Sequence, residues 1–128
     1  MPKKILHVVE SAYRATLEEQ DDTVLWFTHA MKGAGADVTV LLRGNAVNYA
    51  VEGQNASGLA LGAKKQTQPP TLDADVAKLV SKGVELYYVE EDAKARGLRT
   101  TDFVSGPKGL AQGELGELFA RFDLVFTW

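Results

Sequence analysis

Short apolar runs separated by amphipathic stretches set the pattern of this chain. Lys4 to Glu10, KILHVVE, is nearly continuous apolar sequence, as in a strand covered on both faces of a parallel sheet. Asp37 to Leu42, DVTVLL, Val84 to Val89, VELYYV, and Asp123 to Trp128, DLVFTW, repeat that character with β-branched and aromatic residues. Between them the spacing turns helical. Asp22 caps a predicted helix to about Lys32, with Val24, Phe27, Met31 and Ala34 on one face and Trp26 and Ala30 on its flank. Leu25, His29 and Lys32 lie opposite, and Gly33 and Gly35 end the helix. Asn45 is the predicted N-cap of a short helix through Val51. Thr71 caps a helix whose stripe is Leu72, Val76, Leu79 and Val80, stopped by Gly83. Glu90-Glu91-Asp92 opens a helix that Gly97 closes, its early acids and late Lys94 and Arg96 suiting the helix dipole. Gly113 to Phe122 carries the stripe Leu115, Leu118, Phe119 and Phe122.

Two stretches stand outside that alternation. Gly53 to Pro70 is long, polar and rich in small residues, which in a compact domain points to a functional or mobile loop. Arg99 to Gln112 is predicted to give a short edge strand at Phe103-Val104 and a turn at Ser105-Gly106-Pro107. The whole reads as one α/β domain over residues 1–128, a mainly parallel sheet with helices on both faces joined by right-handed crossovers.

Composition narrows the function. A net charge of −3 argues against nucleic acid as a partner, since such surfaces are basic. No apolar run reaches the length of a membrane span, and Met1-Pro2-Lys3-Lys4 precedes only a short apolar run, so neither a membrane segment nor a signal peptide is expected and the cytoplasm is the expected location. Asn55-Ala56-Ser57 fits the glycosylation pattern but has no meaning without secretion. With no cysteine, the chain has no disulfide, thiolate metal site or thiol nucleophile.

No residue pattern announces catalysis, and no cofactor is implied. Gly33-Ala34-Gly35 follows a helix and opens a strand, the reverse of a dinucleotide fingerprint. Gly106-Pro107-Lys108-Gly109 lacks the phosphate-loop spacing and reads as a turn. His7 within the first strand reads as a buried, hydrogen-bonded core residue; His29 lies on a polar helix face, and two histidines without a third ligand make no metal site. Glu18-Glu19-Gln20-Asp21-Asp22 is explained by capping rather than by a cation. The strand carboxyl ends are where open α/β sheets bind ligands. There Glu90 could act as an acid or base, or simply start its helix. Arg43, Gly44 and Asn45 place a cation beside a helix start, which fits a small anion or an ordinary solvent-facing loop. Tyr13 and Arg14, after the first strand, fall on the same edge, as does Val89 at the end of the central strand.

Four stretches, KILHVVE, WFTHAMKGAGADVTVLLRGNAV, GVELYYVEEDAKARGL and GELGELFARFDLVFTW, together resemble the DsrE/DsrF-like family, which includes sulfur-relay subunits. The resemblance spans nearly the whole chain. It implies a three-layer α/β/α sandwich whose five-stranded parallel sheet has the order 4-3-2-1-5, and homo-oligomers, trimers or hexamers. It also implies sulfur-relay proteins as partners. Some members carry persulfide sulfur on a cysteine just after the third strand; here that position falls at Val89 or Tyr88. The glycine-valine expected after the second strand appears as Ala46-Val47. The chain is thus a cysteine-free member by resemblance, and persulfide transfer does not carry over, because the thiolate is the sulfur nucleophile. The implied function is a non-catalytic oligomeric or partner-binding module linked to sulfur metabolism. The alternative is an enzyme or sensor that binds a small anion at the strand ends without thiol chemistry.

Overall fold

The computed structural model describes residues 2–14, 16, 20–54 and 58–128. Glu18 and Glu19 of the acidic run and the Asn55-Ala56-Ser57 triplet lie outside them. Strands β1 (Lys4–Val9) and β2 (Asp37–Leu42) pair in parallel along their full length, Lys4 opposite Asp37 and Val9 opposite Leu42. Between β1 and β2 in sequence lies α1 (Thr23–Gly33), and a 3-10 helix at Gly44–Ala50 follows β2. The polar stretch from Gly53 to Pro70 contains a two-residue antiparallel hairpin, β3 (Ala60–Leu61) with β4 (Lys64–Lys65). The remaining elements are α2 (Leu72–Ser81), β5 (Glu85–Val89), α3 (Glu90–Ala95), β6 (Lys108–Leu110), α4 (Leu115–Ala120) and β7 (Leu124–Thr127). The main sheet runs β6-β5-β2-β1-β7 with every pair parallel, so in order of appearance its strands stand 4-3-2-1-5, as expected.

Side-chain alternation along the strands builds two cores. Val9, Val40, Leu42, Leu86 and Tyr88 point to one face and meet α1, α2, α3 and the 3-10 helix through Leu25, Val76, Leu79, Ala93 and Tyr49. Leu6, Val8, Leu41, Tyr87 and Val89 point to the other and, among the described helices, meet α4 through Leu115 and Leu118, flanked by Phe119 and Phe122. Among the described residues the layers are unequal: three α-helices cover one face and a single six-residue helix the other. On β7 Leu124, Val125 and Phe126 all remain exposed.

Several sequence expectations need correction. The edge strand is Lys108–Leu110, within the stretch read as a turn, and not Phe103-Val104. Phe103 instead makes an antiparallel bridge to Val51, and the Val104 N–H donates to the Ala50 carbonyl, so this segment straps the 3-10 helix. A three-residue strand carries too little periodicity to be read. Its Gly109 passes so close to the β5 end that a Cβ there would sit 2.7 Å from Glu90 Oε1 and 2.9 Å from the Tyr88 hydroxyl. Asn45 does not cap the helix after β2; that helix is 3-10, preceded by Arg43 with no side-chain cap. Thr71 precedes α2 but its side chain makes no capping bond.

The buried face of α1 also differs. Leu25 and Thr28 are buried, whereas Phe27 is 40% exposed and Trp26 60%. α1 packs on α2 as well as on β1, which rotates its inward face toward Leu25 and His29. Thr28 is inside because its hydroxyl satisfies two partners. It donates to the Val24 carbonyl at 2.8 Å and accepts from His7 Nδ1 at 2.9 Å. Since the hydroxyl proton is spent on Val24, His7 must carry its proton on Nδ1. His29 sits at a contact rather than in open solvent: its Nε2 is buried without a hydrogen-bond partner among the described residues, beside Asp75 and Lys78 of α2.

Candidate functional site

Asp22 organises the carboxyl edge of the sheet above β1. Its Oδ1 accepts from the backbone N–H groups of Val24 (2.9 Å) and Leu25 (3.1 Å), capping α1 as the sequence predicts. Its Oδ2 accepts from the Tyr49 hydroxyl at 2.6 Å. That hydroxyl in turn accepts from the Tyr13 N–H at 2.7 Å, so both of its hydrogen-bonding directions are filled. Burial, and then the Asp22 carboxylate, push the Tyr49 hydroxyl well above its ordinary value, which keeps it protonated as the donor to Asp22. Tyr13 holds a left-handed backbone, φ +59°, unusual for a bulky residue. Three contacts fix it there: the N–H bond to Tyr49, an edge-on ring contact with Tyr49 at 5.1 Å, and a hydroxyl bond to Gln54 Oε1 at 2.6 Å.

The other sequence-predicted residues lie further along the edge, above β2 and β5, and their polar groups are mostly engaged with one another. Arg43 faces Glu10 across 3.7 Å, a half-exposed pair of small energetic weight. The Gly44 N–H donates to Asp92 Oδ2 at 2.7 Å, and the Asn45 side-chain oxygen accepts from Arg96 Nε and Nη2 at 3.1 and 2.8 Å. Glu90 is exposed at the start of α3 beside Gly109. The Val89 side chain is 1% exposed, packed in the core beneath α4. The edge thus holds two groupings: Tyr13 with Tyr49 and Asp22 above β1, and Arg43, Gly44 and Asn45 with Asp92 and Arg96 between β2 and α3. Among the described residues no three His, Asp or Glu side chains are grouped to hold a metal.

A cavity of about 460 Å³ opens where the strand order reverses, at the carboxyl ends of β1 and β7. Trp26, Phe27 and Trp128 form its walls, and Ser11, Arg14 and Asp22 supply its polar groups. Trp128 is fixed from below by its N–H to the Val8 carbonyl at 2.8 Å, while its own carbonyl accepts from Glu10 N at 3.0 Å. Beneath these rings His7, 0% exposed, stacks on Phe27 at 5.7 Å and meets Phe126 and Trp128 edge-on at 6.1 and 5.9 Å. Burial lowers the His7 pKa, and its Nε2 has no partner. Arg14 is the one member of this cavity that sequence reasoning had put on the edge as a ligand group. The sequence places Trp26 on the flank of its helix stripe and Trp128 in the DLVFTW run, and neither position reveals their convergence. Tyr87 and Tyr88 are buried on opposite faces of β5.

The model of the DsrE/DsrF-like family matches residues 3–128. The chain belongs to the DsrE/DsrF-like family. No curated protein matches it significantly. Among solved structures, YchN from E. coli is 18% identical with a TM-score of 0.73, each chain covered in full. MTH1491 from Methanobacterium thermoautotrophicum, a protein of unknown function, is 16% identical with a TM-score of 0.61, again over the whole of both chains. BT1422 from Bacteroides thetaiotaomicron is 14% identical with a TM-score of 0.64, covering 98% of this chain and 95% of the other. At such identities the likeness is one of fold. This DsrE-like chain keeps that fold without a single cysteine, and among its described residues no helix is long and apolar enough to cross a membrane.

Proposed function

We propose that this chain is a cysteine-free DsrE-like subunit that serves as a non-catalytic, partner-binding or oligomeric module linked to sulfur relay. The observation that carries this reading is β7. It pairs on one side only, with β1, and its residues are exposed on both faces, Leu124 and Phe126 on one and Val125 on the other. An apolar edge strand left open is a surface for protein association. Large aromatics are enriched where such surfaces are covered. The occupants proposed are further copies of the chain, forming a trimer or hexamer, with a sulfur-relay protein as the external partner. The expected location is cytoplasmic.

Two measurements test it. Incubation with a persulfide donor should leave the intact mass unchanged; a stable gain of one sulfur atom, lost on reduction, refutes the non-carrier role. Val125→Glu, a charge on the open face of β7, should lower the mass seen by light scattering, and an unaltered assembly would remove β7 from the proposal. A second reading is a small anion held by Arg43, Gly44 and Asn45, with Tyr13, Val89 and Glu90 nearby on the edge. It is favoured by the long, half-exposed Arg43–Glu10 pair, which leaves the guanidinium free to turn. Arg43→Ala should then weaken sulfate or phosphate binding about tenfold, and equal binding by the variant ends that reading.

A further inference from the structure

We propose that the cavity between the carboxyl ends of β1 and β7 binds a small molecule with a flat apolar body and one anionic group, its body against Trp26, Phe27 and Trp128 and its anion on Arg14. This goes beyond the assembly and anion readings above and uses none of their deciding residues. Its first support is shape and lining. The cavity of about 460 Å³ falls within the range of small-molecule sites, which are apolar with a few placed polar groups. Two tryptophans, 60% and 44% exposed, and a phenylalanine line it. Flat apolar molecules pack on such rings with gains beyond area burial alone.

Charge sets the ligand's sign. Arg14 lines the cavity and has no hydrogen bond or ion pair with any described residue. Among the described residues Asp22 is the one acid in the lining, and its two oxygens already accept from Val24 N, Leu25 N and the Tyr49 hydroxyl. It is thereby satisfied without Arg14, whose guanidinium is left for an outside acceptor. A planar guanidinium suits a carboxylate or sulfonate through two parallel bonds. Position agrees with this. Open parallel sheets bind ligands beyond the strand carboxyl ends where the strand order reverses, and here the reversal is at β1 and β7. The loop bearing Arg14 is held by the strained Tyr13, which Tyr49 and Gln54 pin in place.

The chain's only two tryptophans both line the cavity, so the two indole N–H signals of a 15N-labelled sample report its occupancy directly. The probes are biphenyl-4-carboxylate, biphenyl-4-sulfonate and the neutral biphenyl-4-methanol. Both anions should shift both indole signals saturably, and the alcohol should bind about tenfold more weakly, for want of the charge-assisted bonds. Arg14→Gln, at a surface position, should erase the preference for the anions while leaving the alcohol's binding unchanged, which also shows that the variant is folded. A carboxylate that binds while the sulfonate does not would narrow the anion to carboxylates and keep the proposal. Unmoved indole signals at millimolar probe, equal binding of acid and alcohol, or a preference that survives Arg14→Gln would each overturn it. So would indole signals that move with protein concentration alone and no longer respond to probe, since a second copy would then be the occupant.

Discussion

At Tyr49 a single hydroxyl joins three elements, taking the Tyr13 N–H and giving its proton to the cap of α1. Tyr49→Phe leaves the buried Asp22 oxygen and the Tyr13 N–H without a partner. It should cost about 1–3 kcal/mol by denaturant midpoint with an unchanged slope. Tyr13→Phe removes only an exposed hydroxyl bond and should cost about 1 kcal/mol or less. His7 gives a pH prediction. Burial lowers its folded pKa below the ordinary 6.5, so the unfolded chain binds more protons in that window. Its contribution to stability is whole above pH 6.5 and is lost as pH falls through the folded pKa. Its contacts Thr28, Phe27, Phe126 and Trp128 carry no charge to offset an imidazolium. Stability should therefore begin to fall below pH 6.5, and His7→Leu should flatten that first part of the acid limb; a variant as acid-sensitive there as the parent would show that another group titrates. Asp22 was legible because a capping acid before an apolar stripe is a local signal. Thr28 was not: its place in the core depends on a histidine 21 residues away.

Elements with long, regular patterns were read correctly, and those set by close approach were not. β1, β2, β5 and β7 announce themselves by apolar runs, and α2 by its stripe of Leu72, Val76 and Leu79. β6 has the sequence KGL and owes its place to Gly109 lying against Tyr88 and Glu90, a tertiary fact with no local trace. The inward face of α1 was misread because a hydrophobic stripe assumes one neighbouring surface, and α1 packs on both the sheet, at β1 and β2, and α2. Two glycine replacements separate packing from propensity. Gly106 has φ +120° and lies on Val80, so Gly106→Ala meets both strain and a clash and should cost about 1–3 kcal/mol. Gly116, inside α4 with open space where a Cβ would go, has neither problem; Gly116→Ala should raise stability by about 0.4–1 kcal/mol. Thermal or denaturant unfolding of the pair should show opposite signs, and the same sign in both would mean that the β5–β6 region packs differently.

For the whole molecule, the layer arrangement and strand order followed from alternation and family likeness, since parallel pairing leaves few topologies open. What did not follow was the division of labour along the sheet edge. The polar groups of Arg43, Gly44 and Asn45 are largely taken up within the fold, while Arg14 and three distant aromatics meet at the opposite flank of β1. Such convergence depends on β7 returning beside β1, which no local pattern encodes. Where the family's sulfur-bearing cysteine is expected, this chain has Val89 or Tyr88, and both side chains are closed into the core. A 128-residue domain of this kind has size enough to stand alone, so the proposed assembly rests on the open β7 rather than on a deficient core. Sedimentation equilibrium of the wild-type chain at micromolar concentration tests this most directly. The mass should be that of a trimer or hexamer, and a strict monomer would contradict the account.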